Sequence, residues 1–129
     1  MPAAGRPRPG ATRTPKQRAG DRAEEAAARH LAAAGCQLLA RNARYPDGEL
    51  DLVVRQGELV AFVEVRLRSS RSFGGAAASV DRLKQKRLMR AAQRWLGENY
   101  GQRWPACRFD VVAVDGDGTI EWIRDAFAA

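Results

Sequence analysis

The sequence predicts an α/β domain built on a mixed sheet, with elements in the order α-β-β-β-α-β-β. Three observations carry that prediction. Gly48 to Arg68, GELDLVVRQGELVAFVEVRLR, sets two apolar runs on either side of the polar break Arg55-Gln56-Gly57-Glu58, the pattern of a β-hairpin. A helical stretch lies on each side of this hairpin. The second helix is followed by another apolar run, so a strand–helix–strand crossover sets the fourth strand parallel to a neighbour.

Composition narrows the class. At 129 residues and 45% apolar, the chain is one domain with room for a core. No apolar run approaches the ~20 residues of a membrane span. The basic N-terminus leads into no apolar h-region, so no secretory signal is expected. Cys36 and Cys107 lack metal-ligand spacing and are expected to be reduced, small, buried residues of a cytoplasmic protein. The net charge of +7 and pI of about 10.4 favour a polyanionic partner. Residues 1–18 hold five of the 22 Lys and Arg and no acid, leaving 17 basic against 15 acidic groups in the rest. Between Arg66 and Arg94 stand nine basic residues and a single acid, Asp81.

Residues 1–19, rich in Pro, Gly, Arg and Ala and without periodicity, are expected to form a disordered basic arm on a single domain of residues 20–129. That arm is either a dispensable leader or a loose contact to phosphate. The first helix is expected from Asp21 to Ala34, with Asp21 as cap, Glu24 completing a capping box and Gly35 as the stop. Its buried stripe is Ala23, Ala27, Leu31 and Ala34. Glu24 either compensates the helix dipole or faces the hairpin as a third acid. His30, the single histidine, has no companion ligand and reads as a partly exposed helix residue. Cys36 to Ala43 reads as the first strand, and Tyr45-Pro46-Asp47-Gly48 as a turn.

In the hairpin, a turn on Gln56-Gly57 sets Val54 against Leu59 and Asp51 against Phe62. One face then carries Leu50, Leu52, Val54, Leu59, Ala61, Val63, Val65 and Leu67 and is expected to be buried. The other carries Asp51 and Glu64 as diagonal neighbours, with Cα atoms roughly 7–8 Å apart. Two carboxylates at that spacing can share a divalent cation.

Residues 69–79 form a loop with Arg71 and Gly74-Gly75; it lacks the spacing of a nucleotide-binding P-loop. Ser79 or Asp81 caps a second helix to about Asn99. Lys84, Leu88, Ala91, Ala92 and Trp95 share its inward face. The Lys84 amine either reaches water past the core edge or enters the carboxylate site. Arg82, Lys86, Arg87, Arg90 and Arg94 lie on outward or flanking faces, as a solvated surface or a phosphate-binding strip. Cys107 to Val114 is a strand, Asp115-Gly116-Asp117-Gly118 a tight turn, and Thr119 to Arg124 a short last strand. Asp110, the charge inside a β-run, is expected to serve a structural hydrogen bond or ion pair.

Asp on one strand followed by Glu-x-Lys on the next is the signature of restriction-endonuclease-like nucleases; here the residues are Asp51, then Glu64-Val65-Arg66. The blocks GDRAEEAAARHL, RNARYPDGELDLV, LVAFVEVRLRSS, FGGAAASVDRLKQKRL and CRFDVVAVD run in order from Gly20 to Asp115 and together resemble the YraN-like family of bacterial proteins. That resemblance implies a restriction-endonuclease-like core, a mixed sheet flanked by helices, related to archaeal Holliday-junction resolvases. It further implies that Asp51 and Glu64 hold Mg²⁺ or Mn²⁺, with Glu24 as a further acidic contributor. Arg66 stands where the signature has lysine; an arginine keeps the charge but cannot act as a general base. Lys84 is the candidate substitute, which makes Asp51, Glu64, Arg66 and Lys84 the expected catalytic set. The function so implied is a metal-dependent endonuclease on DNA, with branched or repair intermediates as substrates and a homodimer as the working form. The competing readings are a catalytically inactive nucleic-acid-binding module on the same scaffold, and a protein-interaction domain whose carboxylates merely pair with Arg66 and Arg68.

Overall fold

The computed structural model describes residues 12–68 and 80–128. Helix α1 (Pro15–Ala33) starts earlier than the Asp21 cap predicts. Thr14 Oγ1 accepts from the Gln17 amide at 3.1 Å, and Gln17 Oε1 accepts from the Thr14 amide at 2.9 Å. This capping box, with proline at the first helical position, outcompetes the internal Asp21, which pairs with Arg13 at 2.8 Å instead. The helical segment therefore includes residues 15–19, assigned above to the arm; residues 1–11 lie outside the described residues. Gly35, at φ +91°, ends the helix as expected.

Strands β1 (Gln37–Tyr45), β2 (Gly48–Gln56) and β3 (Leu59–Arg68) form an antiparallel meander. Helix α2 (Arg82–Tyr100) then crosses to β4 (Cys107–Asp115), which pairs parallel to β3, and β5 (Ile120–Phe127) returns antiparallel to β4. The sheet order is β1-β2-β3-β4-β5, the mixed α/β architecture expected. Asp81 caps α2, its Oδ1 accepting from the Lys84 amide at 2.8 Å. The loop with Arg71 and Gly74-Gly75 lies outside the described residues.

Each helix covers one face of the sheet. On one side Ala23, Ala27 and Leu31 of α1 pack on Leu52, Val54, Ala61, Val63, Val112 and Val114. On the other, Leu88, Ala91, Ala92, Trp95 and Leu96 of α2 pack on Leu50, Val53, Val60, Phe62, Phe109, Val111 and Ala113. Sequence neighbours such as Ala61 and Phe62 fall into opposite cores because strand side chains alternate. Alanines on α1 bring that helix close to the sheet. Gly48 does the same for α2: a Cβ there would stand 2.9 Å from the Arg87 carbonyl oxygen.

Two expectations are corrected. The hairpin turn lies on Gly57-Glu58, so Gln56 pairs with Leu59, Val54 with Ala61 and Leu52 with Val63. Gly57 takes φ +61°, a conformation glycine adopts without strain. The shift is two residues, so it preserves faces but moves every partner. The apolar face is also incomplete: Leu67 is half exposed, and Leu50 belongs to the α2 core.

The chain direction places both helix starts at one end. α1 ends next to β1, whose first ladder pair, Gln37 with Arg55, sits beside the β2–β3 turn. Its N-terminus therefore lies toward the far end, where β3 and β4 finish. α2 starts at that same end and leads back to Cys107, which pairs with Val60. Among the described residues no helix is long and apolar enough to cross a membrane.

Candidate functional site

The site forms where the β2–β3 ladder stops. Leu52 with Val63 is its last backbone pair, and the same register carried one step further sets Asp51 opposite Glu64. Instead of a backbone carbonyl, Asp51 Oδ2 accepts the Val65 amide at 2.9 Å. The alternation of β2 breaks here as well, since Leu50 and Leu52 belong to opposite cores. On the β1 side, Asn42 lies between the pairs Arg41–Leu52 and Ala43–Leu50 and takes φ +53°. Asparagine tolerates that left-handed conformation better than most residues.

Glu64 points toward α2 and is only 5% exposed. Its Oε1 lies 3.2 Å from Lys84 Nζ and 3.8 Å from Arg66 Nε. Its Oε2 is buried and has no hydrogen-bond partner among the described residues. Burial, and then the charge of Asp51, push the Glu64 carboxyl up to about 7, against the opposing pull of Lys84 and Arg66. Glu24 approaches Asp51 from α1. Burial, and then Asp51, raise its carboxyl too, while an Asn42 hydrogen bond and the charge of Arg41, at 3.9 Å, oppose the rise. Asp51 thus stands between Glu64 on the α2 side and Glu24 on the α1 side.

Among the described residues, no three His, Cys, Asp or Glu side chains converge on a single ion position. The pair Asp51 and Glu64 nonetheless suits a hard divalent cation: two carboxylates, one with a buried oxygen that no described residue satisfies. Arg66 shares the face of Glu64. Arg68 does not face the acids; it pairs with Asp115 at 2.8 Å and Glu121 at 2.9 Å. Lys84 reaches Glu64 from the first turn of α2, which the Asp81 cap sets in place.

The sequence reading missed Asn42, Arg41 and the amide of Val65. An asparagine inside the β-run RNARY was the available signal, since asparagine is depleted in strands. Cys36 is buried as expected, but Cys107 is exposed, because it opens β4 at the rim of the sheet. Asp110 is fully buried and accepts from Arg108 Nε at 2.8 Å, Trp122 Nε1 at 3.0 Å and the Asp125 amide at 3.0 Å, the structural role expected of it. His30 is exposed, with its ring edge-on to Trp122.

Comparison with known proteins covers this whole arrangement. The model of "Uncharacterised protein family UPF0102" matches residues 23–114, a span that takes in Glu24, Asp51, Glu64, Arg66 and Lys84. A UPF0102 protein of Halorhodospira halophila is 50% identical over 119 residues, covering 92% of this chain and 94% of that relative. A UPF0102 protein of Ralstonia nicotianae is 53% identical over 124 residues, covering 92% of this chain and 89% of its own length. The UPF0102 protein YraN of Salmonella newport is 48% identical over 113 residues, covering 87% and 86%. The chain belongs to the UPF0102 family.

Proposed function

We propose that this protein is a metal-dependent endonuclease acting on DNA, with Asp51 and Glu64 holding Mg²⁺ or Mn²⁺ and Glu24 contributing through water. The observation that carries the reading is the unpartnered, buried Glu64 Oε2 beside a second carboxylate. A desolvated carboxylate beside a second acid is costly unless a cation joins it. When bound, the ion would activate a water and stabilise charge on the scissile phosphate.

The chain's own groups divide the remaining work. Asp51 is held in place by the Val65 amide, and Glu64 by its burial. Arg66 keeps a positive charge on the Glu64 face and clamps phosphate rather than moving a proton. Lys84, with its amine at Glu64, orients the attacking water or donates to the phosphate. The free thiols of Cys36 and Cys107 support a reducing, cytoplasmic setting. The likeness to resolvases favours a homodimer on branched, two-fold substrates, which sedimentation with and without junction DNA tests.

The test incubates wild type and Asp51→Ala with junction, flap and single-stranded DNA plus Mn²⁺. Cleavage by wild type and not by Asp51→Ala supports the reading; equal cleavage by both refutes it. One observation favours a second reading, a non-catalytic DNA-binding module: arginine at position 66 replaces the lysine of the nuclease signature. Salt-dependent DNA binding with no cleavage in Mg²⁺ or Mn²⁺ decides for that module.

A further inference from the structure

Much of the positive charge in the described residues is already matched. Arg13, Arg29, Arg41, Arg44, Arg68 and Arg108 each lie within 4 Å of a carboxylate. Two groups of cations stand apart. On α2, Arg82, Lys86 and Arg90 are exposed and form no ion pair among the described residues. Their spacing of four residues puts them on one face, about 6 Å apart along the helix axis. On α1, Arg18 and Arg22 are likewise exposed, four residues apart and without an ion pair among the described residues. They sit on turns that bury nothing: no residue from Pro15 to Arg22 is buried, and Ala23 is the first that is.

Both groups lie at the same end of the molecule, but on opposite faces of the sheet. α2 begins at the site, with Lys84 on Glu64, and α1 passes the site at Glu24 before its first turns run on beyond it. Unpaired cations on solvent-facing turns repel one another and contribute nothing to folding, so a polyanion is the partner that they complement. A single strand presents one row of phosphates. A duplex presents two, on either side of its axis, and two basic surfaces bracketing an acidic centre match that arrangement.

We infer that the substrate is double-stranded, and that the α2 row (Arg82, Lys86, Arg90) and the α1 pair (Arg18, Arg22) contact the phosphates of different strands. The inference rests on the DNA reading above and assigns its substrate class. These are binding residues; none touches the reacting atoms.

The experiment measures fluorescence anisotropy of a labelled duplex against salt, in EDTA so that nothing is cleaved. Each phosphate contact contributes about 0.9 to the slope of log affinity against log salt. Arg82→Gln/Lys86→Gln/Arg90→Gln is expected to lower the slope by about 2.7, and Arg18→Gln/Arg22→Gln by about 1.8. The charge-keeping triple Arg82→Lys/Lys86→Arg/Arg90→Lys keeps the wild-type slope, which separates charge from folding, and circular dichroism melts confirm that each variant is folded. Arg103→Gln, an exposed cation at the far end of α2, is expected to change nothing. An unchanged duplex slope in either neutralised variant overturns the inference. So does an equal loss in Arg103→Gln, or wild type binding a single strand of the same length as tightly as the duplex. These outcomes leave the nuclease reading standing if wild type still cleaves and Asp51→Ala does not. Failure of cleavage with the slopes as expected sinks the nuclease reading alone.

Discussion

Replacing Glu64 with glutamine should stabilise the protein at alkaline pH and leave it unchanged in acid. Glutamine keeps the shape of the side chain and removes its charge. In the folded state the Glu64 carboxyl is raised from 4.5 to about 7, by burial and then by Asp51. Between those values the folded chain keeps a proton that the unfolded chain has released, so stability falls as pH rises and the loss is complete above about 7. At 1.36 kcal/mol per unit, the loss amounts to roughly 3 kcal/mol. The unpartnered position of Oε2 remains unpartnered in the amide, so that cost cancels. For a chain of this size the gain corresponds to roughly 10 °C in Tm. Circular dichroism melts in EDTA from about pH 3.5 to pH 8 read it directly: equal Tm at about pH 3.5, where folded and unfolded chains both hold the proton, and a more stable Glu64→Gln at pH 8. Excess Mn²⁺ at pH 8 should then raise the Tm of wild type and not of the variant, because only the ionised pair gains a ligand. A variant no more stable than wild type at pH 8, or a gap that does not change with pH, refutes the idea that a desolvated charge is stored at this position.

Other expectations follow from single contacts. Lys84→Met keeps the aliphatic stem and removes the amine 3.2 Å from Glu64; Mn²⁺-dependent cleavage should fall by about a hundredfold or more while duplex affinity in EDTA holds. Gly48→Ala forces a methyl against the Arg87 carbonyl and should cost about 1–3 kcal/mol in urea titrations, whereas Gly20→Ala, with open space around it in α1, should be neutral or stabilising. Asp110→Ala strands Arg108 and leaves Trp122 Nε1 and the Asp125 amide without their acceptor; a loss of about 3–5 kcal/mol is expected by the same titration.

The sequence displays what periodicity and local chemistry control. The order of elements, the inward stripe of α2 and a cap at Ser79 or Asp81 follow from patterns within short windows, and the crossover rule adds a parallel fourth strand without naming β3 as its partner. The register of the hairpin did not, because turns on Gln56-Gly57 and on Gly57-Glu58 preserve the same alternation and differ only in partners. The start of α1 was displaced because two capping boxes compete, and proline after Thr14 favours the earlier one. At the site, Asp51 and Glu64 were legible as residues on a hairpin. The break of alternation at Asp51 was not, since it arises from contacts with β1 and with the Val65 amide rather than from the pattern of β2 itself. Nor does spacing alone tell which of several arginines turns toward an acid: Arg66 keeps to Glu64, while Arg68 is drawn to Asp115 and Glu121 on two later strands.

The parallel pairing of β3 with β4 has a consequence for the order of assembly. Asp51 and Glu64 belong to one local hairpin, whose loop closes at small entropic cost, whereas α2 is pinned only when β4 returns beside β3. The nascent chain therefore brings its two acids together before the lysine that pairs with Glu64 arrives. Mutational φ-values higher at Val54 and Ala61 than at Leu88 and Val111 would show that sequence of events, and the reverse order would exclude it.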